Sequence, residues 1–271
     1  MKQISKVILA NCFQGQKKEG VGLVERNLGK LRKTLLKDYD VSTIPTRDFN
    51  TKKGYNSLAE QVHQNHVNHH KTLTIGGDHS IAIGSLQGSL NYYKDNLTAV
   101  WVDAHADLNT FASSPSGNLH GMPLGFLTGL ETNFIQEPYE KLSLDNLKFL
   151  GIRDLDEFER KTIVTQGVQH LSSEDINNGA SLDEVQINTS KIHLSLDVDV
   201  LDPKYMNSTG TRVKEGITME KLEEIIDWVN DKGDIVSVDL VEFNPKLTPH
   251  MSNQEKDRDN YGRILEKILE L

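Results

Sequence analysis

The stretch Ala99-Val100-Trp101-Val102-Asp103-Ala104-His105-Ala106-Asp107 ends an apolar run in metal-type ligands at every second position. In extended backbone, alternate side chains point to one side. Asp103, His105 and Asp107 can therefore converge on one point, where carboxylate oxygens and an imidazole nitrogen suit a divalent cation. A second apolar stretch, His193-Leu194-Ser195-Leu196-Asp197-Val198-Asp199, closes with carboxylates two apart, and a third, Leu73-Thr74-Ile75, runs into Gly76-Gly77-Asp78-His79. Any one of these acids alone could be a helix cap or turn former. As a set, Asp103, Asp107, Asp197 and Asp199 gathered at one buried point would repel and take up protons unless cations neutralised them. Two divalent ions carry about the charge needed.

Such ligands need strands that finish at a common edge. Apolar runs at 4–9, 41–44, 73–75, 99–102, 147–152, 167–171, 192–196 and 235–241 read as strands. Helical spacing separates them at 23–36, 57–70, from 80 onward, at 218–229 and at 255–271. This alternation predicts an α/β fold with a parallel sheet, and ligand sites in open parallel sheets lie at the carboxyl edge. Gly76-Gly77 is read as a sharp turn that points His79 back at the strand ends, and Glu242 closes the last strand. The loop 109–123 is dense in hydrogen-bonding side chains, as functional loops are. His63, His66, His69 and His70 crowd one helix, but its polar surroundings read as a solvated outer face rather than a binding site. Without an internal repeat, low-complexity tract or linker, the chain reads as one domain over 1–271.

Composition narrows the partners. Over 271 residues the formal charge is -9, which argues against nucleic acid as a main partner and favours cationic ligands. No stretch reaches the roughly 20 apolar residues of a membrane span, and the apolar part of the opening is too short for a secretory signal. Cys12 is the sole cysteine, so no intrachain disulfide forms, and a cytoplasmic setting is the expectation.

Five motifs together resemble the ureohydrolase family, and within it the arginases: Gly76-Gly77-Asp78-His79-Ser80, Asp103-Ala104-His105-Ala106-Asp107, Ser116-Gly117-Asn118-Leu119-His120-Gly121-Met122-Pro123, Ser195-Leu196-Asp197-Val198-Asp199 with Leu201-Asp202-Pro203, and Glu242-Phe243-Asn244-Pro245. They occur in the family order. The resemblance implies a three-layer α/β/α fold with a mostly parallel sheet of about eight strands. It implies two Mn(II) ions per chain, one on His79, Asp103, Asp107 and Asp197, the other on His105, Asp103, Asp197 and Asp199. The reaction implied is cleavage of the L-arginine guanidinium to L-ornithine and urea through a metal-bridging hydroxide. His120 would be the acid for the leaving amine, Glu242 would hold the guanidinium, and Asp107 would stand with them at the reacting centre. Asn109, Ser114 and Ser116 would bind the α-carboxylate, Asp156 the α-amino group, and Thr211 would lie at the rim. A homo-oligomer, trimer or hexamer, is expected by the same likeness. Glu157-Phe158, Arg212 and Glu215 depart from the family pattern at the rim. Another ureohydrolase, such as an agmatinase or guanidinobutyrase, is the near alternative, and a binuclear metallophosphatase is the alternative of a different class.

Overall fold

A computed structural model describes residues 3–16, 18, 20–134 and 139–271. Eight strands, β1 (Ile4–Ala10), β2 (Asp40–Ile44), β3 (Lys71–Gly76), β4 (Leu97–Val102), β5 (Leu147–Ile152), β6 (His170–Ser172), β7 (Lys191–Asp197) and β8 (Asp234–Val241), form one sheet. The order is β2-β1-β3-β8-β7-β4-β5-β6 and every pair is parallel. The central strands are buried on both faces, which is why they read as continuous apolar runs.

Alternation along each strand divides the core. Val100 and Val102 of β4 pack with Leu194 and Leu196 of β7 against Leu222, Ile225 and Ile226 of the helix Met219–Lys232 and Ile264 and Ile268 of the helix Met251–Leu269. Ala99 and Trp101, on the other face of β4, pack with Leu86 and Leu90 of the helix Ala82–Tyr93, and the helix Lys52–Val67 covers the same side with Leu58 and Val62. The three-layer α/β/α expectation holds, with the sheet wholly parallel. Among the described residues no helix is long and apolar enough to cross a membrane.

Several local readings change. The spacing over 23–36 forms two short helices, Val24–Leu28 and Lys30–Leu35, parted by Gly29 at φ +55°. The run 167–171 is displaced: Gly167 caps the helix Glu157–Gln166 in the left-handed region, and the strand starts only at His170. Thr218 does cap its helix, accepting from the Lys221 N–H.

The histidine-bearing helix requires the largest correction. His66 is fully buried, not solvated. Its Nε2 lies 3.1 Å from Ser89 Oγ, which lies 3.0 Å from His193 Nδ1, while His193 Nε2 lies 2.9 Å from Asp239 Oδ2. Burial first, and then the facing His193, push His66 down to about 3. The sign follows: between about pH 6.5 and 3 the unfolded chain binds a proton that the folded chain refuses, so stability falls as pH falls. His66→Gln should flatten the pH dependence of urea-denaturation stability across that window, by up to about 1.4 kcal/mol per pH unit. Identical slopes for the two proteins would refute the buried neutral imidazole.

Candidate active site

β3, β8, β7 and β4 are neighbours at the centre of the sheet, and their carboxyl ends converge. After β3 the chain passes Gly76 and Gly77 and enters the turn His79–Ile81. Neither glycine has positive φ. Gly77 is needed for space instead, because a Cβ there would lie 1.7 Å from the Cys12 carbonyl oxygen. Asp78 is fully buried and accepts the Ser80 N–H at 3.1 Å and the Gly15 N–H at 2.7 Å. This fixes the backbone that presents His79.

The His79 ring stacks on Trp101, centroids 4.0 Å and planes 6° apart. Its Nε2 meets Ser195 Oγ at 2.8 Å, which orients Nδ1 toward the carboxylates. Asp103 Oδ2, Asp107 Oδ2 and Asp197 Oδ2 lie 2.9, 3.1 and 3.4 Å from that nitrogen. On the other side of Asp103, His105 Nδ1 lies 3.4 Å from Asp103 Oδ1 and 3.3 Å from Asp199 Oδ2. Two groups of candidate metal ligands result, His79 with Asp103 and Asp197, and Asp103 with His105 and Asp199. Asp103 belongs to both.

Backbone geometry is spent on this arrangement. Asp107 and Glu242 have φ of +49° and +69°, a region costing of order 1–3 kcal/mol for residues other than glycine. The strand-end loops are also tied together. All five N–H donors of Arg153 reach main-chain carbonyls, those of Gly151, Asp199, Val200, Val213 and Lys214. Thr211 Oγ1 donates to Asp199 Oδ2 at 3.2 Å.

The electrostatics call for positive charge. Burial and then the neighbouring Asp103 push the Asp107 carboxyl up to about 6, and burial with Asp199 and Asp103 raises Asp197. Burial opposes charge on His79 and His105, yet the carboxylates around them hold both well above the usual histidine range. Among the described residues His79 Nδ1 and Asp103 Oδ2 are buried without a hydrogen-bond partner, although such atoms nearly always have one. A hard oxygen and imidazole donor set with two orphaned atoms facing each other fits divalent cations.

Beside this centre lies the Glu242–His120 pair. Glu242 is buried, accepts the His79 N–H through Oε1 at 3.0 Å, and holds that oxygen 3.4 Å from His120 Nδ1. Burial pulls the His120 imidazolium down, but Glu242 more than offsets this and pushes it up to about 9. Burial likewise works against charge on Glu242, while His120 and the His79 N–H keep it below the usual glutamate range.

A cleft of about 270 Å³ opens over both features, lined by His105, Asp107, His120 and Asp197 and, at its rim, by Asn109, Ser114, Ser116, Asp156 and Thr211. The five rim candidates thus line one cleft. Asn109 Nδ2 donates to Asp156 Oδ2 at 2.8 Å. Ser114 and Ser116 accept the N–H groups of Gly117 and Asn118, which leaves each hydroxyl proton to donate. A larger cavity of about 750 Å³ lies at the opposite edge, by Lys71, Lys191 and Asp234 where β3, β7 and β8 begin. Lys71 and Lys191 there are both paired with Asp234.

Four contributors were not anticipated. Ser195 lies two positions before Asp197, so strand alternation could have placed it on the same side. Glu159 follows Asp156 by three, the spacing of a helix-capping pair, and accepts the N–H groups of Asp156 and Leu108 at 3.0 Å each. Arg153, and Gln16, whose side-chain amide donates to Glu242 Oε2, carry no such local signal.

A parallel α/β protein with carboxylates and imidazoles converging at the carboxyl edge of its four central strands belongs to the class of α/β proteins built around a polar, metal-type site. Comparison with known proteins narrows the class. The sequence profile of the Arginase family matches residues 15–255. An arginase of Neurospora crassa is 42% identical over 206 residues, covering 70% of this chain and 58% of that protein. The crystal structure of arginase from Bacillus subtilis superposes with a TM-score of 0.85 at 32% identity, covering 98% of each chain. The arginase of Entamoeba histolytica in complex with L-ornithine also gives 0.85, at 28% identity over 99% of each chain. The chain belongs to the arginase family.

Proposed function

We propose that this chain is a binuclear manganese hydrolase that converts L-arginine and water to L-ornithine and urea. The observation that carries this reading is His120, paired with the buried Glu242, lining the same cleft as residues of the two ligand groups that share Asp103. His79, Asp103, Asp107 and Asp197 would hold one ion, and His105, Asp103, Asp197 and Asp199 the other, with Asp103 and Asp197 shared. When bound, such a pair acidifies a shared water and so supplies a nucleophile near neutral pH.

The protein's own groups do the rest. A guanidinium is drawn into a cleft whose walls carry Asp107, Asp154, Asp156 and Asp197. Glu242, kept charged, accepts hydrogen bonds from the guanidinium and aligns its plane. At the rim, Asn109, Ser114 and Ser116 bind the α-carboxylate and Asp156 takes the α-ammonium. Thr211 holds Asp199 in place. After attack at the guanidinium carbon, the bond to the δ-nitrogen breaks only if that nitrogen gains a proton. His120, held in its protonated form by Glu242, gives it. Ornithine leaves as the amine and the guanidinium carbon leaves as urea.

Urea release from L-arginine, agmatine and guanidinobutyrate, each with and without added Mn(II), tests the reading. Manganese-dependent turnover of L-arginine well above the other two is expected. Faster turnover of agmatine would instead assign another ureohydrolase activity. Glu242→Gln keeps the shape of the side chain and removes its charge. The loss of a charge-assisted hydrogen bond, about 1.5–3 kcal/mol, should lower kcat/KM for L-arginine roughly 10- to 150-fold. A phosphate-ester hydrolase would respond in the opposite sense, because Glu242 repels its substrate. A cytoplasmic setting belongs to the same proposal, supported by the single buried cysteine. Assembly as a trimer or hexamer rests on the family alone.

A further inference from the structure

Glu242 has a second partner that none of the motifs includes. The Gln16 side-chain amide donates to Glu242 Oε2, on the carboxylate oxygen not used by His79 N–H. Gln16 is only 4% exposed although it lies in the loop after β1. The loop is fastened on both sides of the site. The Asp78 N–H donates to the Cys12 carbonyl at 3.1 Å, the Gly15 N–H donates to Asp78 Oδ2 at 2.7 Å, and the Gly15 carbonyl accepts the His120 N–H at 3.1 Å. A Cβ on Gly15 would lie 2.5 Å from Asp78 Oδ1 and 2.9 Å from His120 Cβ, so only glycine allows this approach. The result is a Gln16 delivered to Glu242 from a strand that carries none of the metal-type ligands.

Its other polar atom is more telling. Gln16 Oε1 is buried with no hydrogen-bond partner among the described residues, and it faces Gly210, whose added Cβ would lie 2.6 Å from it. The space left by a glycine at 210 lets that oxygen sit there, so the carboxamide has one orientation, with its nitrogen toward Glu242.

We propose that Gln16 is a positioning residue for Glu242, its amide holding the carboxylate in the rotation that meets the substrate guanidinium. The inference rests on the reading that this cleft takes a guanidinium. The amide sets the rotation of the Glu242 carboxylate through Oε2 while the His79 N–H holds Oε1, so losing the amide frees the carboxylate to turn away from the guanidinium.

The test is steady-state kinetics of the manganese-loaded protein with L-arginine as substrate and L-ornithine as inhibitor. Gln16→Met keeps the volume and removes both polar atoms. Gln16→Ser serves if that variant does not fold. Either should raise KM for L-arginine roughly ten- to hundred-fold, with kcat changed less than about threefold and the ornithine inhibition constant unchanged within twofold. A merely structural residue would move both constants together. An arginine KM within twofold of the wild type, or equal losses toward arginine and ornithine, would overturn the proposal. Wild-type urea release reports separately on the guanidinium reading.

Discussion

Asp103→Ala is expected to retain neither metal ion and to lose urea release by about 10³-fold or more. Asp103 lies in both clusters of candidate ligands seen in the structure and is a shared ligand in the proposed pair, and its two oxygens face different imidazoles, Oδ2 toward His79 and Oδ1 toward His105. Removing it therefore opens both positions at once. Metal stabilisation of a reacting centre is worth several kcal/mol, and each 1.36 kcal/mol is tenfold in rate. The fold should survive, because the variant removes one of several buried like charges. Metal content by mass spectrometry, read beside a circular-dichroism melt, separates the two effects. Two retained ions, or a rate within tenfold of the wild type, would show that Asp103 is not a shared ligand.

His120→Asn should keep both ions and still slow turnover by roughly 10²- to 10⁴-fold, the usual range for a general acid. The asparagine preserves the backbone link to the Gly15 carbonyl but cannot give up a proton. The pH dependence carries its own sign. His120 acts while protonated, so activity is lost as pH rises through its pKa, which Glu242 pushes up to about 9. Removing the Glu242 charge in Glu242→Gln lets that pKa fall, so the alkaline limb of kcat/KM should move to lower pH. A limb that stays in place, or an undiminished rate in His120→Asn, would remove His120 from proton transfer.

The metal-type ligands were legible because two local rules applied to them without competition. Alternate spacing pointed to Asp103, His105 and Asp107, although β4 ends at Val102 and the bend beyond it, with Asp107 at φ +49°, is what brings them together, and apolar strands running to one sheet edge brought in His79, Asp197 and Asp199. The rim residues became visible through motif order. What stayed hidden depends on contacts far apart in the chain. Gln16 meets Glu242 across 226 positions, and nothing near Gln16 announces a partner. Arg153 uses all its donors on carbonyls, which no side-chain pattern records. His66 looked solvated because its helix is polar, yet Ser89 and His193 satisfy its inward edge from other elements. Gly76-Gly77 was placed correctly for the wrong reason: the backbone of Cys12 packs where a Cβ of Gly77 would be.

The most direct test is anomalous diffraction at the manganese edge on crystals grown with Mn(II). Two peaks per chain are expected at the carboxyl ends of β3, β4 and β7, one against His79 and Asp107, the other against His105 and Asp199, with Asp103 and Asp197 between them. A single peak, or manganese bound away from these six side chains, would contradict the binuclear centre on which the proposed hydrolysis depends.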